Sequence, residues 1–306
     1  MSESVIKVEN LVKNYGNFTA VAGIDFQVEK GEIFGLLGEN GAGKTTTLEI
    51  IEGLRKRTSG TINMLGVDVS DGCKDEIKEK IGVQLQSSAY YNFLTLKEIL
   101  ELFGSFYRTS IAPSELLAMV DLTKKENSLV GALSGGQKQR FSIVASLVND
   151  PEIVFLDEPT TGLDPIARRN LWDLIAKIKS QGKSIILTTH YMEEAEVLCD
   201  HIAIMDSGKI LRMGETHKLI EGTKNPFKIS FLSKAPTPTI LADLTKCGEI
   251  KNLAGKSNHF EMHLKSQNEV NSALTLIQKL KPESLTVGRA SLEDLFIELT
   301  GKRIKE

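Results

Sequence analysis

Apolar residues recur along this chain in two rhythms. Ile24, Phe26 and Val28 alternate with polar neighbours, the period of a strand with one buried face, and Ile6 to Asn10 reads as a similar strand. The opening therefore predicts an antiparallel β layer. Four short apolar runs show no clean alternation: Ile33 to Leu37, Ile153 to Leu156, Ser184 to Leu187 and Ile202 to Met205. Such runs fit strands covered on both faces, and they predict a parallel core sheet. Helical patterns lie between them, most clearly Leu171, Leu174, Ile175 and Ile178 after Asp164-Pro165, an N-cap followed by proline at the first helical position. Residues from about 87 to 150 read as mostly helical, with Leu96, Ile99, Leu100 and Phe103 on one face.

Glycine, proline and polar residues cluster from Glu221 to Pro226, which predicts a boundary between a domain at residues 1–222 and a smaller one at 223–306. The second domain reads as α+β: strands at Phe227 to Leu232 and His259 to Leu264, a helix at about Glu269 to Leu280, and a last helix at about Leu292 to Leu299. No constellation of acids, bases or nucleophiles can be assembled from its sequence, so dimerisation or regulation is expected of it rather than catalysis.

Composition narrows the class. The chain has 306 residues, 41% hydrophobic and 25% charged, as in soluble globular proteins. A net charge of −3 offers no excess of cations for a nucleic-acid backbone, and no nucleic-acid partner is expected. Cys73, Cys199 and Cys247 are odd in number and lack metal-site spacing, which fits a reducing cytosol. No apolar run reaches the ~18 to 20 residues that cross a bilayer, and Met1 to Val5 has no basic start or apolar stretch. The chain is expected to stay inside the cell, with any membrane channel on another polypeptide.

Candidate chemistry begins at Gly38 to Thr45, GENGAGKT, which fits G-x-x-x-x-G-K-[ST]. In that loop small residues such as Gly38, Gly41 and Gly43 let backbone N–H groups, with those of Asn40 and Thr46 beside them, curl round phosphate oxygens. Lys44 adds a point charge, and Thr45 a hydroxyl for Mg²⁺. The loop follows a predicted strand and precedes a segment of helical character, the context the motif requires. Ile153 to Glu158 is an apolar strand ending in two carboxylates, at the edge where α/β sheets hold ligands. Asp157 is the candidate to hold Mg²⁺ through water, and Glu158 to orient and polarise an attacking water. LSGGQ at Leu133 to Gln137 also satisfies a Ser134/Gln137 capping box; its two glycines weaken a helix and are better explained by close approach to a ligand.

On the phosphate loop and LSGGQ together, the chain resembles the nucleotide-binding subunit of an ATP-binding cassette (ABC) transporter from about Val5 to Gly222. The resemblance implies an α/β P-loop NTPase cassette with a parallel core sheet, an antiparallel β layer and a helical subdomain at about 87–150, here followed by the small α+β domain. It implies ATP and Mg²⁺ as cofactors and ATP hydrolysis coupled to transport. By resemblance, Ser134, Gly135, Gly136 and Gln137 meet the γ-phosphate of a nucleotide held by a second cassette, expected as a homodimer. His190 matches the histidine that contacts the γ-phosphate and aligns water. Gln86, with Gln84 as its competitor, matches the glutamine reaching Mg²⁺ and water. Asp164 matches the loop through which protomers sense each other, and is equally a helix N-cap. Tyr15 lies where the family stacks an aromatic ring on adenine. Tyr90, Tyr91, Phe93 and Leu94 fall in the region that receives a helix of the membrane subunit; burial in the helical subdomain's own core explains them equally well.

The expected role is thus an ATP-driven motor on the cytoplasmic face of the membrane, bound to a separate permease. Ser291 to Gly301 resembles the terminus of bacterial exporter cassettes of the ABC-2 and drug-resistance type, implying efflux of a drug, lipid, glycan or peptide. Its amphipathic spacing also fits a simple capping helix. Two alternatives stay open: a soluble ABC ATPase acting on ribosomes or DNA, and an importer cassette with a regulatory C-terminal domain.

Overall fold

The computed structural model describes residues 3–85, 90–233, 238–252 and 258–302, which form two units. The first runs β1 (Ser4–Tyr15), β2 (Phe18–Glu29), β3 (Ile33–Leu37), α1 (Lys44–Ile51), β4 (Ser59–Met64), β5 (Val67–Asp68), α2 (Asp75–Lys78) and β6 (Ile81–Gln84). It continues with α3 (Leu96–Gly104), α4 (Pro113–Met119), α5 (Gly135–Ala145), β7 (Ile153–Asp157), α6 (Pro165–Ser180), β8 (Ser184–Thr189), α7 (Met192–Leu198), β9 (His201–Asp206) and β10 (Lys209–Glu215).

Two sheets share this unit. The antiparallel layer has the order β2-β1-β4-β5. The core sheet is β10-β9-β3-β8-β7-β6, parallel from β9 to β6, with β10 antiparallel at one edge. Residues Ile33–Leu37 and Ile153–Asp157 are buried without interruption, as their unalternating sequence predicts. Ile24, Phe26 and Val28 point one way from the antiparallel layer into a common core with Phe34, Leu48 and Phe155. Phe26 stacks on Phe34 at 5.2 Å, fastening the two sheets. Helices α3, α4 and α5 fall within the stretch expected to be helical, and Leu96, Ile99 and Leu100 form the buried face of α3.

The second unit holds α8 (Thr216–Glu221), β11 (Phe227–Leu232), α9 (Pro238–Cys247), β12 (Glu249–Asn252), β13 (His259–Leu264), α10 (Gln267–Lys279), β14 (Ser284–Arg289) and α11 (Leu292–Thr300). Its antiparallel sheet has the order β12-β13-β11-β14, and Ile229, Phe231, Met262 and Leu264 bury one face with Leu244, Val270 and Ile277 of α9 and α10. The sequence places the boundary after residue 222, and by their contacts the two compact units divide between Glu215 and Thr216. Helix α8 packs on α11, and Glu221 pairs with Arg289 at 2.8 Å, so tertiary contacts claim a helix that composition had left with the first domain. A second difference is chemical. Lys228, Glu261, His263 and Asp294, far apart in sequence, meet in one cluster, with Lys228 Nζ 3.0 Å from Glu261 and 3.4 Å from Asp294. The acids are answered internally by Lys228, His263 and the Ser291 cap, which makes the cluster a fastening.

Candidate active site

The phosphate loop leaves β3 at the carboxyl edge of the core sheet and enters α1 at Gly43, whose φ of +102° belongs to the left-handed region. A Cβ there would lie 2.5 Å from the Ala20 carbonyl oxygen, so conformation and space both require glycine. No side chain caps α1. Its first N–H groups therefore face the loop with the partial positive charge of a helix start.

Lys44 turns back into the loop. Its Nζ, in a side chain only 3% exposed, donates to the carbonyls of Gly38 at 2.9 Å and Glu39 at 3.1 Å, and lies 3.4 Å from Glu158 Oε1. Burial lowers the lysine's pKa, and the Glu158 carboxylate opposes that shift.

Asp157 ends β7. Its Oδ1 accepts hydrogen bonds from Thr45 at 3.1 Å and Thr188 at 2.5 Å. Burial pushes this carboxyl up, against the two hydroxyls that favour its ionised form. Thr45 and Asp157 thus present a hydroxyl and a carboxylate oxygen side by side, a hard-oxygen set of the kind Mg²⁺ selects.

Glu158 sits at φ +47°, a left-handed conformation that costs a non-glycine residue ~1 to 3 kcal/mol. Its N–H is anchored to the Thr188 carbonyl at 3.2 Å and hydroxyl at 3.0 Å. The carboxylate meets Lys44, the Thr161 hydroxyl at 3.2 Å and His190 Nδ1 at 3.3 Å. Burial alone would raise its pKa; Lys44 and His190 outweigh burial and hold it below the usual carboxylate range. An ionised, strained carboxylate beside a lysine can accept a proton from, or orient, a water at a phosphate held by the loop.

Of the residues expected in the site, the structure brings together Gly38, Lys44, Thr45, Asp157, Glu158 and His190. Gly41 and Gly43 shape the loop with positive φ, Asn40 is exposed, and Thr46 lies in the first turn of α1. Tyr15 ends β1 with 40% exposure, its ring 4.8 Å from Lys13 Nζ and 5.6 Å from the Arg55 guanidinium carbon. Gln86 lies outside the described residues. Gln84, its competitor, is buried in β6 and donates to the Leu85 carbonyl. Tyr90 packs on Phe103 and Phe141 inside the helical subdomain, whereas Tyr91 and Phe93 are 54% and 77% exposed.

Ser134 stands apart from that cluster in the described contacts. It caps α5 in a complete capping box with Gln137, and its turn lines a depression of about 630 Å³ with Asp164. A Cβ on Gly135 would meet nothing within 4 Å, so the fold does not require glycine there. Asp164 accepts from the N–H groups of Ile166 at 3.0 Å and Ala167 at 2.9 Å, capping α6. Sequence reasoning missed Thr188 and Thr161, which fix the two acids; a threonine two residues before His190 and another three residues after Glu158 were the available signal.

Comparison with known proteins agrees with this geometry. Residues 21–161 match the ABC transporter family. The chain is 35% identical to a Nod factor export ATP-binding protein I of Burkholderia orbicola, with 100% of both sequences covered. It is 32% identical to the linearmycin resistance ATP-binding protein of Bacillus subtilis, covering 99% of this chain and 100% of that one. A solved dimeric bacterial ABC transporter cassette superposes with a TM-score of 0.62 at 30% identity, covering 69% of this chain and 98% of its own.

Proposed function

This chain belongs to the ABC transporter family, and from that premise we propose that it is the ATP-binding and hydrolysing subunit of an exporter, closing as a pair of cassettes on two ATP molecules to drive a separate permease. The observation that carries the proposal is the division of the site: an acid pair and lysine gathered on the phosphate loop, and a Ser134 turn whose glycine faces open space. Ser134, Gly135, Gly136 and Gln137 of one cassette meet the γ-phosphate bound by Lys44 and the loop of the other. Only the closed pair makes both sets of contacts, so ATP shifts the population toward closure.

Within each site Glu158 orients and polarises the attacking water, His190 positions that water against the γ-phosphate, and Lys44 neutralises charge on the transferred group. Thr45 and Asp157 would hold Mg²⁺, assisted by Gln86, and the ion would supply charge neutralisation at the bound phosphates. Tyr15, exposed at the end of β1, supplies a ring for adenine. Tyr91 and Phe93 present exposed aromatic surface suited to a permease helix. Export is favoured over import because the Nod factor export and linearmycin resistance relatives match the whole chain, second unit included. No described helix is long and apolar enough to cross a membrane, in keeping with a channel on another polypeptide and a position on the cytoplasmic face.

The test is a trap. Glu158→Gln loaded with ATP and Mg²⁺ is expected to sediment as a two-chain species retaining two ATP, and the same variant with Ser134→Arg to remain a single chain. An ATP-loaded Glu158→Gln protein that stays monomeric overturns the proposal.

A further inference from the structure

The two edges of the sheet in the second unit are built differently. At one edge β12 carries Glu249 and Lys251 on either side of Ile250, the kind of charge that keeps foreign strands away. At the other edge β14 reads Ser-Leu-Thr-Val-Gly-Arg, with no charge before Arg289, and every one of its residues is exposed. Its register on β11 sets Leu285 opposite Phe231 and Val287 opposite Ile229. Directly paired residues share one face of a sheet, so Leu285 and Val287 continue the apolar face that α9 and α10 cover, yet remain 38% and 48% exposed.

The main chain is open at the same place. The Ala290 N–H donates to the Pro226 carbonyl at 3.0 Å, in step with the β11 register. Antiparallel pairs alternate, so Ser284, Thr286 and Gly288 turn their N–H and C=O groups toward β11, while Leu285, Val287 and Arg289 turn theirs to the outer edge. No strand among the described residues meets that edge.

We propose that β14 pairs antiparallel with β14 of a second copy of this chain, about a twofold axis at Thr286, joining the two four-stranded sheets into one. The strand is its own complement in that register. Leu285 of each copy meets Val287 of the other on the apolar face, and their outward main-chain groups exchange hydrogen bonds. Arg289, with a side chain 66% exposed although it reaches Glu221, meets the exposed Glu283 of the other copy. Moving the axis to Leu285 would set Arg289 against Lys281, and moving it to Val287 would set Arg289 against Leu285. A six-residue edge falls short of the ~1,200 Å² that a stable interface buries, so the contact is weak alone. It forms once ATP has gathered two cassettes and raised the local concentration of one edge near the other. The inference thus rests on the reading of the chain as one of a closing pair and adds a second, ATP-dependent seam to it.

The test is a cysteine on the axis. There Thr286 faces its own counterpart in a pair whose main-chain groups turn away from the seam, with Cα atoms ~4.5 Å apart and within reach of a disulfide. The full chain carrying Glu158→Gln and Thr286→Cys is oxidised with ATP and Mg²⁺, and joined peptides are identified by mass spectrometry. A 286–286 linkage is expected at least about tenfold above that formed without ATP, or by Leu285→Cys in the same background, whose two copies stand diagonally apart. Glu283→Arg is expected to lower the yield at least about fivefold, and Arg289→Glu in the same chain to restore it. A protein that sediments as two chains with ATP yet gives no 286–286 linkage overturns the inference and leaves the proposed function standing. Equal linkage by Leu285→Cys, a yield indifferent to Glu283→Arg, or capture of a different protein when membranes are added overturns it as well. If Glu158→Gln stays a single chain with ATP, the reading of a closing pair fails first and takes this seam with it.

Discussion

The Lys44 cluster and the Ser134 turn carry the two most diagnostic sequence motifs of this chain, yet their surroundings differ. Around Lys44 nearly every polar atom is answered from within: lysine by loop carbonyls and Glu158, Asp157 by two threonines, Glu158 by Lys44, Thr161 and His190. Around Ser134 the hydroxyl is engaged only in a local cap, and Gly135 faces empty space. The first region is a preassembled site in which geometry is already fixed by the fold. The second is a surface whose residue choices make sense only when something approaches it. On the proposed reading, catalytic power is concentrated in one chain, while control over when it is used lies with a second.

The largest expected effect belongs to the preassembled side. Glu158→Gln keeps the shape and removes the base, and should lower ATP turnover by about 10² to 10⁴ while leaving ATP binding intact. Phosphate release under saturating ATP measures it; near-normal turnover would move the base to another residue. Next comes Lys44→Ala, which removes a buried cation from the phosphate and from Glu158. A loss of about 10- to 100-fold in nucleotide affinity is expected, the scale of a charge-assisted hydrogen bond. Unchanged affinity by calorimetry would dissolve the contrast, because the Lys44 region would then not be a binding site in its own right.

A smaller effect probes whether the charge balance behind that region is self-contained. Glu52 is pushed from an ordinary 4.5 up to about 8, with Asp157 among the causes. For a raised acid the folded state binds the extra proton, so its contribution is fully present below pH 4.5 and is lost as pH rises toward 8. Stability should fall by about 1.4 kcal/mol per pH unit across that window, and Glu52→Gln should abolish the slope. Over pH 6 to 8 the variant should gain on the natural chain by roughly 2 to 3 kcal/mol in denaturant melts. Parallel curves would show that Glu52 already has a partner.

What the sequence made readable follows the same division. The phosphate loop, the acid pair and the N-cap at Asp164 are local patterns, since each is specified by neighbours within one strand–loop–helix segment. Thr188 was not readable because its role depends on register: it lies opposite Asp157 only once β7 and β8 pair in parallel. The Lys228, Glu261, His263 and Asp294 cluster was missed for the same reason, being assembled from β11, β13 and α11. Strand β14 escaped because every residue in it is exposed, leaving no buried face to impose alternation, and β12 has a single apolar residue, Ile250. The grouping of α8 with the second unit was not readable, because packing of α8 on α11 leaves no mark on composition.

The smallest change asks the sharpest question of the exposed side. Gly135 opens α5, has no positive φ, and has space for a methyl group, so Gly135→Ala should leave the melting temperature unchanged or raise it, by up to about 0.5 to 1 kcal/mol in stability. If the turn served only to start a helix, activity would follow stability and stay level. If a nucleotide on a second cassette must come within hydrogen-bond distance of that backbone, the same methyl group intrudes on the phosphate, and turnover should fall about tenfold or more, a deficit of ~1.4 kcal/mol in the barrier. Single-site ATP binding to the Lys44 region should not change, because the hydrogen bonds of the Ser134 turn are local to it, within its own cap and to Lys125. A stable Gly135→Ala protein with undiminished, cooperative ATP hydrolysis would leave the glycine unexplained and return the Ser134 turn to the status of a helix cap.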